Sequence, residues 1–235
     1  MPLRLKPLAR QVILITGACS GIGLATARMA AGRGAAVMLV ARDEAALRAA
    51  VEGIRDTGGR AEYHLADVAD HAALEAAATR TEELFGGLDS WVNDAGAGTF
   101  GTLEQTPIED HRRLFETNYW GVVNGSLVAA ARFKAQGRDA GRHEAGAIIN
   151  VGSVRSDRAV IYQGPYSATK HAVKAFNDTL RMELEAEGAP VSVTLIKPAA
   201  MDTPFQEHAR SYMYPRGLRV PPPVYDPRLV ARAIC

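Results

Sequence analysis

The sequence predicts an α/β protein built as a three-layer, doubly wound parallel sheet of six or seven strands with helices on both faces. Three observations point to this class. Short runs rich in branched apolar residues alternate with longer amphipathic segments, the pattern of parallel strands joined by crossover helices. A glycine cluster stands directly between the first such run and the first helical segment. No internal repeat and no linker-like composition shift divides the 235 residues, so residues 1–235 read as a single domain.

The elements follow in order. Strands are expected at 12–16, 35–41, 61–65, 90–93, 147–151 and 192–196. The first of them, Val12-Ile13-Leu14-Ile15-Thr16, is continuously apolar up to its last residue, as a strand covered on both faces should be. Helical spacing fills 22–32, 43–57, 71–85, 108–131 and 167–187, with Asp43 placed to cap the second helix and Gly86 to end the third. Two stretches break the pattern. Residues 136–146 are polar and glycine-rich and read as a surface loop insertion. Residues 198–227 carry seven prolines and exceed the roughly 12–15 residues of an ordinary connection, which reads as a functional lid or a disordered segment, the lid being favoured.

Composition removes several function classes. A net charge of +1 gives no general attraction for nucleic acid or anionic membrane, and no apolar run of about 18 residues could span a bilayer. The arginine-rich stretches near 132–142 and 210–219 are diluted by acids and read as solvated faces or lid residues. Cys19 and Cys235 are too few for a disulfide framework or a zinc site, and the six histidines form no ligand cluster, so no metal is expected and a reducing, cytoplasmic compartment fits.

After the first strand the chain reads Thr16-Gly17-Ala18-Cys19-Ser20-Gly21-Ile22-Gly23. Glycines there permit a tight turn and close approach of backbone to a pyrophosphate, and the helix N-terminus adds N–H donors and partial positive charge. The order strand, turn, helix favours dinucleotide binding over a bare turn. The T-G-x-x-x-G-I-G spacing resembles the short-chain dehydrogenase/reductase family. Asn93-Asp94-Ala95-Gly96 resembles that family's N-N-A-G segment, with Asp94 replacing the second Asn. The resemblance implies a Rossmann-like, nicotinamide-dinucleotide-binding fold with cofactor contacts from Gly17, Cys19, Ser20, Gly21, Ile22, Gly23, Asn93, Ala95 and Gly96.

Val40-Ala41-Arg42-Asp43 closes the second strand. An acid there would bind the ribose 2′-hydroxyl of NAD; Ala41 removes it, and Arg42 supplies a cation for the 2′-phosphate of NADP. NADP(H) is therefore favoured over NAD(H), against the alternative of a solvated arginine. Asp67-Val68 resembles the family's adenine contact, and a helix-capping Asp67 is the other reading.

Tyr166-Ser167-Ala168-Thr169-Lys170 leads into the helix of 167–187. Four residues is about one turn, so the phenol and the ammonium share a face. A cation within about 4–6 Å lowers a phenol pKa from about 10 toward the working pH, as general acid/base catalysis requires. A packed ring beside a solvated amine has the same spacing, and its companions decide between the two. Asn150-Val151-Gly152-Ser153 closes the fifth strand and sets a hydroxyl at the carboxyl edge of the sheet, where a local turn could also use it. By resemblance Ser153 polarises a substrate carbonyl, Tyr166 is the general acid/base and also a cofactor contact, and Lys170 lowers its pKa and binds the nicotinamide ribose. Asn118 would hold a water linked to the lysine, where a bent helix would otherwise use a polar residue to satisfy its backbone. Lys197-Pro198-Ala199 resembles the P-G segment that lies against the nicotinamide, with Ala199 in place of glycine, so its backbone must avoid positive φ or take strain. Pro198 and Thr203 complete the implied cofactor contacts.

The resemblance implies hydride transfer between NADP(H) and a small carbonyl or secondary-alcohol substrate, in a homodimer or homotetramer. Two other classes compete: a nucleotide-sugar epimerase or dehydratase, against which the turn spacing and length speak, and a non-catalytic dinucleotide sensor, which would not need Asn118, Ser153, Tyr166 and Lys170 together. Residues 225–235 begin a helix that in the family leads to a final strand, so either the sequence lacks its C-terminal end, the favoured reading, or its sheet lacks an edge strand.

Overall fold

The computed structural model describes residues 3–139, 146–213 and 222–235. Its strands are β1 (Val12–Thr16), β2 (Ala36–Ala41), β3 (Arg60–Leu65), β4 (Ser90–Asn93), β5 (Thr99–Phe100), β6 (Gly146–Val151), β7 (Val191–Ile196) and β8 (Arg210–Ser211). Six of them form one parallel sheet in the order β3-β2-β1-β4-β6-β7, while β5 and β8 pair apart from it. The chain winds outward from β1 to β3, returns to β4 beside β1, and winds outward again to β7. The carboxyl ends of β1 and β4, where Thr16 pairs with Asn93, are thus the switch point at which such sheets open a ligand crevice.

The helices are α1 (Gly21–Gly32), α2 (Glu44–Arg55), α3 (His71–Phe85), α4 (Ile108–Phe115), α5 (Gly121–Asp139), α6 (Gly164–Ala186), α7 (Phe205–His208) and α8 (Arg228–Ile234). Side chains of β1 alternate between two cores. Ile13 and Ile15 pack with Ala27 of α1 and Leu47, Val51 and Ile54 of α2, while Leu14 packs with Leu74 of α3, Phe133 of α5 and Leu180 of α6. This is the three-layer arrangement the sequence predicts. Asp43 caps α2, accepting from the Ala46 N–H at 3.0 Å, and Gly86 ends α3 in the left-handed conformation.

Beneath the switch point runs a buried amide network. Trp91 Nε1 donates to Asn93 Oδ1 (2.8 Å), Asn93 Nδ2 to Asn150 Oδ1 (2.8 Å) and Ser126 Oγ (3.1 Å), and Asn150 Nδ2 to Asn177 Oδ1 (3.1 Å). It ties β4, β6, α5 and α6 together in an apolar setting where unpaired amides would be costly.

Three local expectations are corrected. Residues 136–139 continue α5 rather than forming a loop, because a single interior glycine costs about 1 kcal/mol, too little to end a helix anchored by buried Phe133. Gly146 opens β6, and the Phe133 ring occupies the space a side chain there would need; residues 140–145 lie outside the described residues. Helix α6 starts at Gly164, with Pro165 in its first turn, so Tyr166 is already helical.

Candidate active site

At the end of β1 the chain turns through Gly17, whose φ is +68°. A side chain there would place its Cβ 2.8 Å from both N and Cα of Ala95. On the first turn of α1, a Cβ at Gly23 would lie 2.6 Å from the Gly17 carbonyl oxygen and 2.9 Å from Asp94 Oδ2. Only backbone fits between the turn, the helix and the loop after β4, so the N-terminus of α1 opens directly on the crevice. Ser20, its N-cap, makes no side-chain cap hydrogen bond. A bare cradle at a helix N-terminus fits the pyrophosphate of a dinucleotide.

That crevice is a cleft of about 840 Å³. Gly17, Cys19, Ser20, Gly21 and Ile22 line it at the end of β1, with Ala95 and Gly96 beside them after the neighbouring β4. At one end stand Arg42, Asp67 and Val68; at the other, Ser153, Tyr166 and Lys170, with Pro198 and Thr203 from the segment after β7. Thr203 reaches across the turn, its Cβ 3.3 Å from where a Gly21 side chain would begin. Three predicted residues lie beneath the cleft instead of on it: Gly23, Asn93, whose side chain belongs to the amide network, and Asn118.

The Arg42 guanidinium is 3.5 Å from the Asp67 carboxylate, so the two predicted adenosine contacts also pair with each other. Asp67 Oδ1 accepts from the Ala69 N–H at 3.0 Å, and the cap of α3 is Asp70. Asn118 sits in a π-helical turn, Glu116–Trp120, between α4 and α5, and is fully buried. Such one-residue insertions occur often at functional sites. Its side-chain amide is engaged on both sides: Oδ1 accepts from Ala97 N (2.8 Å), and Nδ2 donates to Ala97 O (2.9 Å) and Thr169 Oγ1 (3.1 Å). The side chain thus clamps the loop after β4 onto α6.

Ser153 Oγ accepts from the Arg155 N–H at 3.1 Å while Ser156 Oγ accepts from the Ser153 N–H at 3.2 Å, so the serine also caps the short helical turn Val154–Ser156. Lys170 Nζ donates to the Val151 carbonyl at 2.8 Å and stands 5.7 Å from the Tyr166 ring centroid. Burial pushes the phenol up to about 12, with the Ser153 hydrogen bond pulling down, the charge of Asp94 pushing further up and Arg155 pulling down. Burial thus opposes the downward shift expected from Lys170. The ammonium lies over the ring and is turned to the backbone, and burial brings Lys170 itself down to about 8, opposed by Asp94. Ala199 takes no positive φ; Tyr162, at +67°, is the only non-glycine that does among the described residues.

Asp94 is the residue whose importance the sequence did not reveal beyond its departure from N-N-A-G. Its carboxyl accepts from the Gly23 N–H and is pushed up to about 7 by burial, with the Lys170 charge pulling down. The folded protein thus keeps a proton that the unfolded chain gives up near pH 4, and stability present below that pH declines as pH rises to about 7. Asp94→Asn is expected to remove this decline from thermal unfolding measured across pH 4–7, and to lower both the Tyr166 phenol and the Lys170 ammonium, which its charge raises. An identical slope in wild type and variant would contradict the assignment.

The short chain dehydrogenase family model matches residues 11–213. The chain belongs to this family. This short chain dehydrogenase is 44% identical over 232 residues to the uncharacterized oxidoreductase YxnA of Bacillus subtilis (strain 168), covering 99% of the chain and 64% of YxnA, so it spans just under two thirds of that relative. A crystal structure of 3-ketoacyl-(acyl-carrier-protein) reductase from Brucella melitensis, complexed with NADH, superposes with a TM-score of 0.84 at 29% identity, covering 97% of this chain and 90% of that one. An alcohol dehydrogenase from the archaeon Thermococcus sibiricus, complexed with 5-hydroxy-NADP, gives a TM-score of 0.80 at 28% identity, covering 95% of this chain and 88% of that one.

Proposed function

We propose that this short chain dehydrogenase transfers a hydride between NADP(H) and a small carbonyl or secondary-alcohol substrate, with Tyr166 as general acid/base. One observation carries the reading: Ser153, Tyr166 and Lys170 stand together at one end of the cleft that the glycine cradle lines. Hydride transfer is the chemistry a nicotinamide dinucleotide supplies when bound. The chain's own part is to bind, orient and move a proton. The turn from Gly17 to Ile22 would hold the pyrophosphate on backbone N–H groups, and Pro198 and Thr203 would lie at the nicotinamide end. The Ser153 hydroxyl orients the substrate oxygen. Tyr166, held protonated across neutral pH, gives its proton to that oxygen. Lys170, 5.7 Å from the ring centroid, keeps a positive charge beside the phenolate left behind.

The substrate end is walled by Phe100, Val154, Ile161, Met201 and Phe205, which supports an apolar carbonyl compound. The ketoacyl reductase among its structural neighbours supports a ketone. The preference for NADP(H) rests on Arg42, since the solved neighbours were complexed with NADH in one case and an NADP analogue in the other. Arg42→Ala is expected to weaken NADPH binding by about 10- to 100-fold while changing NADH binding by no more than about twofold, read by fluorescence titration. Equal losses for both dinucleotides would remove the preference.

Six of the strands form one sheet with helices on both faces, which supports a single domain. Exposed Trp120 and Leu127 beside buried helix faces, with Met182 of α6, support a homodimer or homotetramer. The two lone thiols fit the cytoplasm. No described helix is long and apolar enough to cross a membrane. The reading is tested by incubating the purified chain with NADPH and a panel of apolar ketones. Ketone-dependent oxidation is expected; tight NADPH binding with no oxidation across the panel would make it a sensor.

A further inference from the structure

Away from the Tyr166 chemistry, three separate pieces of chain meet at the substrate end of the cleft. β5 pairs in parallel with β8, Arg210 N donating to Gly98 O (3.2 Å) and Tyr212 N to Phe100 O (2.7 Å). Gly101 bridges to Gln163 and donates to the carbonyl of Tyr162 at 3.0 Å. The third piece, entered after Pro204, lays Phe205 against the catalytic end: its ring meets that of Tyr166 edge-on, centroids 5.5 Å apart, and a Cβ at Gly98 would lie 2.8 Å from its Cζ. None of these strands belongs to the main sheet, so their pairing has to be fixed by something else.

Asp110 on α4 does this. It is 4% exposed, and each carboxylate oxygen has its own partner: Arg210 forms an ion pair with Oδ1, and the Tyr212 hydroxyl donates to Oδ2. Both partners come from one three-residue stretch, about a hundred positions away in sequence. A carboxylate this buried is costly without partners, and beyond the N-terminus of its own helix the partners that offset its desolvation come from that stretch.

We propose that Asp110 is the latch of the substrate lid, a positioning residue that fixes segment 205–212 through Arg210 and Tyr212 so that Phe205 forms a wall of the substrate site against Tyr166. Its kinetic consequence rests on the reductase reading above; its effect on the lid rests on geometry alone. Substrate held by that wall is bound equally before and during the chemical step, so loosening the latch raises KM and spares kcat.

The test uses Asp110→Asn, which removes the charge in place, and Tyr212→Phe, which deletes one hydroxyl from the lid and carries the test if the first variant fails to fold. Hydrogen exchange of the cofactor-free protein is expected to rise about tenfold in peptides covering 205–213 of Asp110→Asn and about threefold in Tyr212→Phe, with β1, β4 and β6 unchanged. In ketone reduction, KM should rise by a similar factor, with kcat and NADPH affinity within about twofold. Exchange at 205–213 equal to wild type in a folded variant would overturn the latch, as would a loss confined to kcat. A wild-type chain that reduces no ketone would instead overturn the reductase reading, while raised exchange would still support the latch.

Discussion

Tyr166→Phe is expected to lower kcat by about 10²- to 10⁴-fold, the range a positioned general acid contributes, and to leave NADPH affinity within about twofold. The substitution removes one oxygen from a buried ring whose other contacts remain: the edge-on packing with Phe205 and the position of Lys170 over its face. Ser153 loses a partner but stays held by the Arg155 N–H. Since no cradle residue is touched, the loss belongs to proton transfer alone, and single-turnover kinetics with saturating NADPH would report it directly. A phenylalanine variant that kept more than about a few per cent of wild-type kcat would show that another group supplies the proton.

Gly23→Ala is expected to have the second large effect, through sterics. The added methyl would press on the Gly17 carbonyl and Asp94, one of them backbone, so the turn itself must spread. Overpacking of this kind costs about 1–3 kcal/mol, a fall in Tm of roughly 3–10 °C for a chain of this size. Dinucleotide affinity should fall about 100-fold, because a cradle displaced by as little as an ångström no longer matches its ligand. Gly53→Ala in α2 is the control: nothing lies within 4 Å of the new Cβ, and the helix should gain about 0.5–1 kcal/mol. Calorimetry and NADPH titration of the two variants side by side would decide, and wild-type affinity in Gly23→Ala would end the argument for the cradle.

Much of this was legible in the residues because the signals are local. Branched apolar runs such as Val12–Thr16 have no competing reading once helices cover both faces, and a glycine turn between strand and helix leaves its spacing in the sequence. The fit of Ser153, Tyr166 and Lys170 to one cleft end followed from strand ends and a single helical turn. What escaped was long-range or electrostatic. Asp110 meets Arg210 and Tyr212 across about a hundred residues, and two-residue strands such as β5 and β8 have no periodicity to detect. The Tyr166 phenol was expected to move down because the sequence displays Lys170; burial, which dominates in the fold, depends on what is packed around the ring. The side chain of Asn93 pointed to a cofactor by its motif alone, and only the register with Asn150 shows that it belongs beneath the site.

That amide network has a consequence for how the chain finds its alignment. Side chains on a strand alternate in direction, so a slip of β4 against β6 by one position would turn Asn93 and Asn150 away from each other and bury their amides unpaired, at about 1–3 kcal/mol each. Aliphatic runs such as Ala147-Ile148-Ile149 tolerate such a slip far better, since any branched side chain fills a similar space. The polar rungs therefore act as a vernier that admits a single setting. Because Asp94 and Ser153 follow those two asparagines by one and three residues, the same setting decides the height at which the acid and the hydroxyl emerge above the sheet.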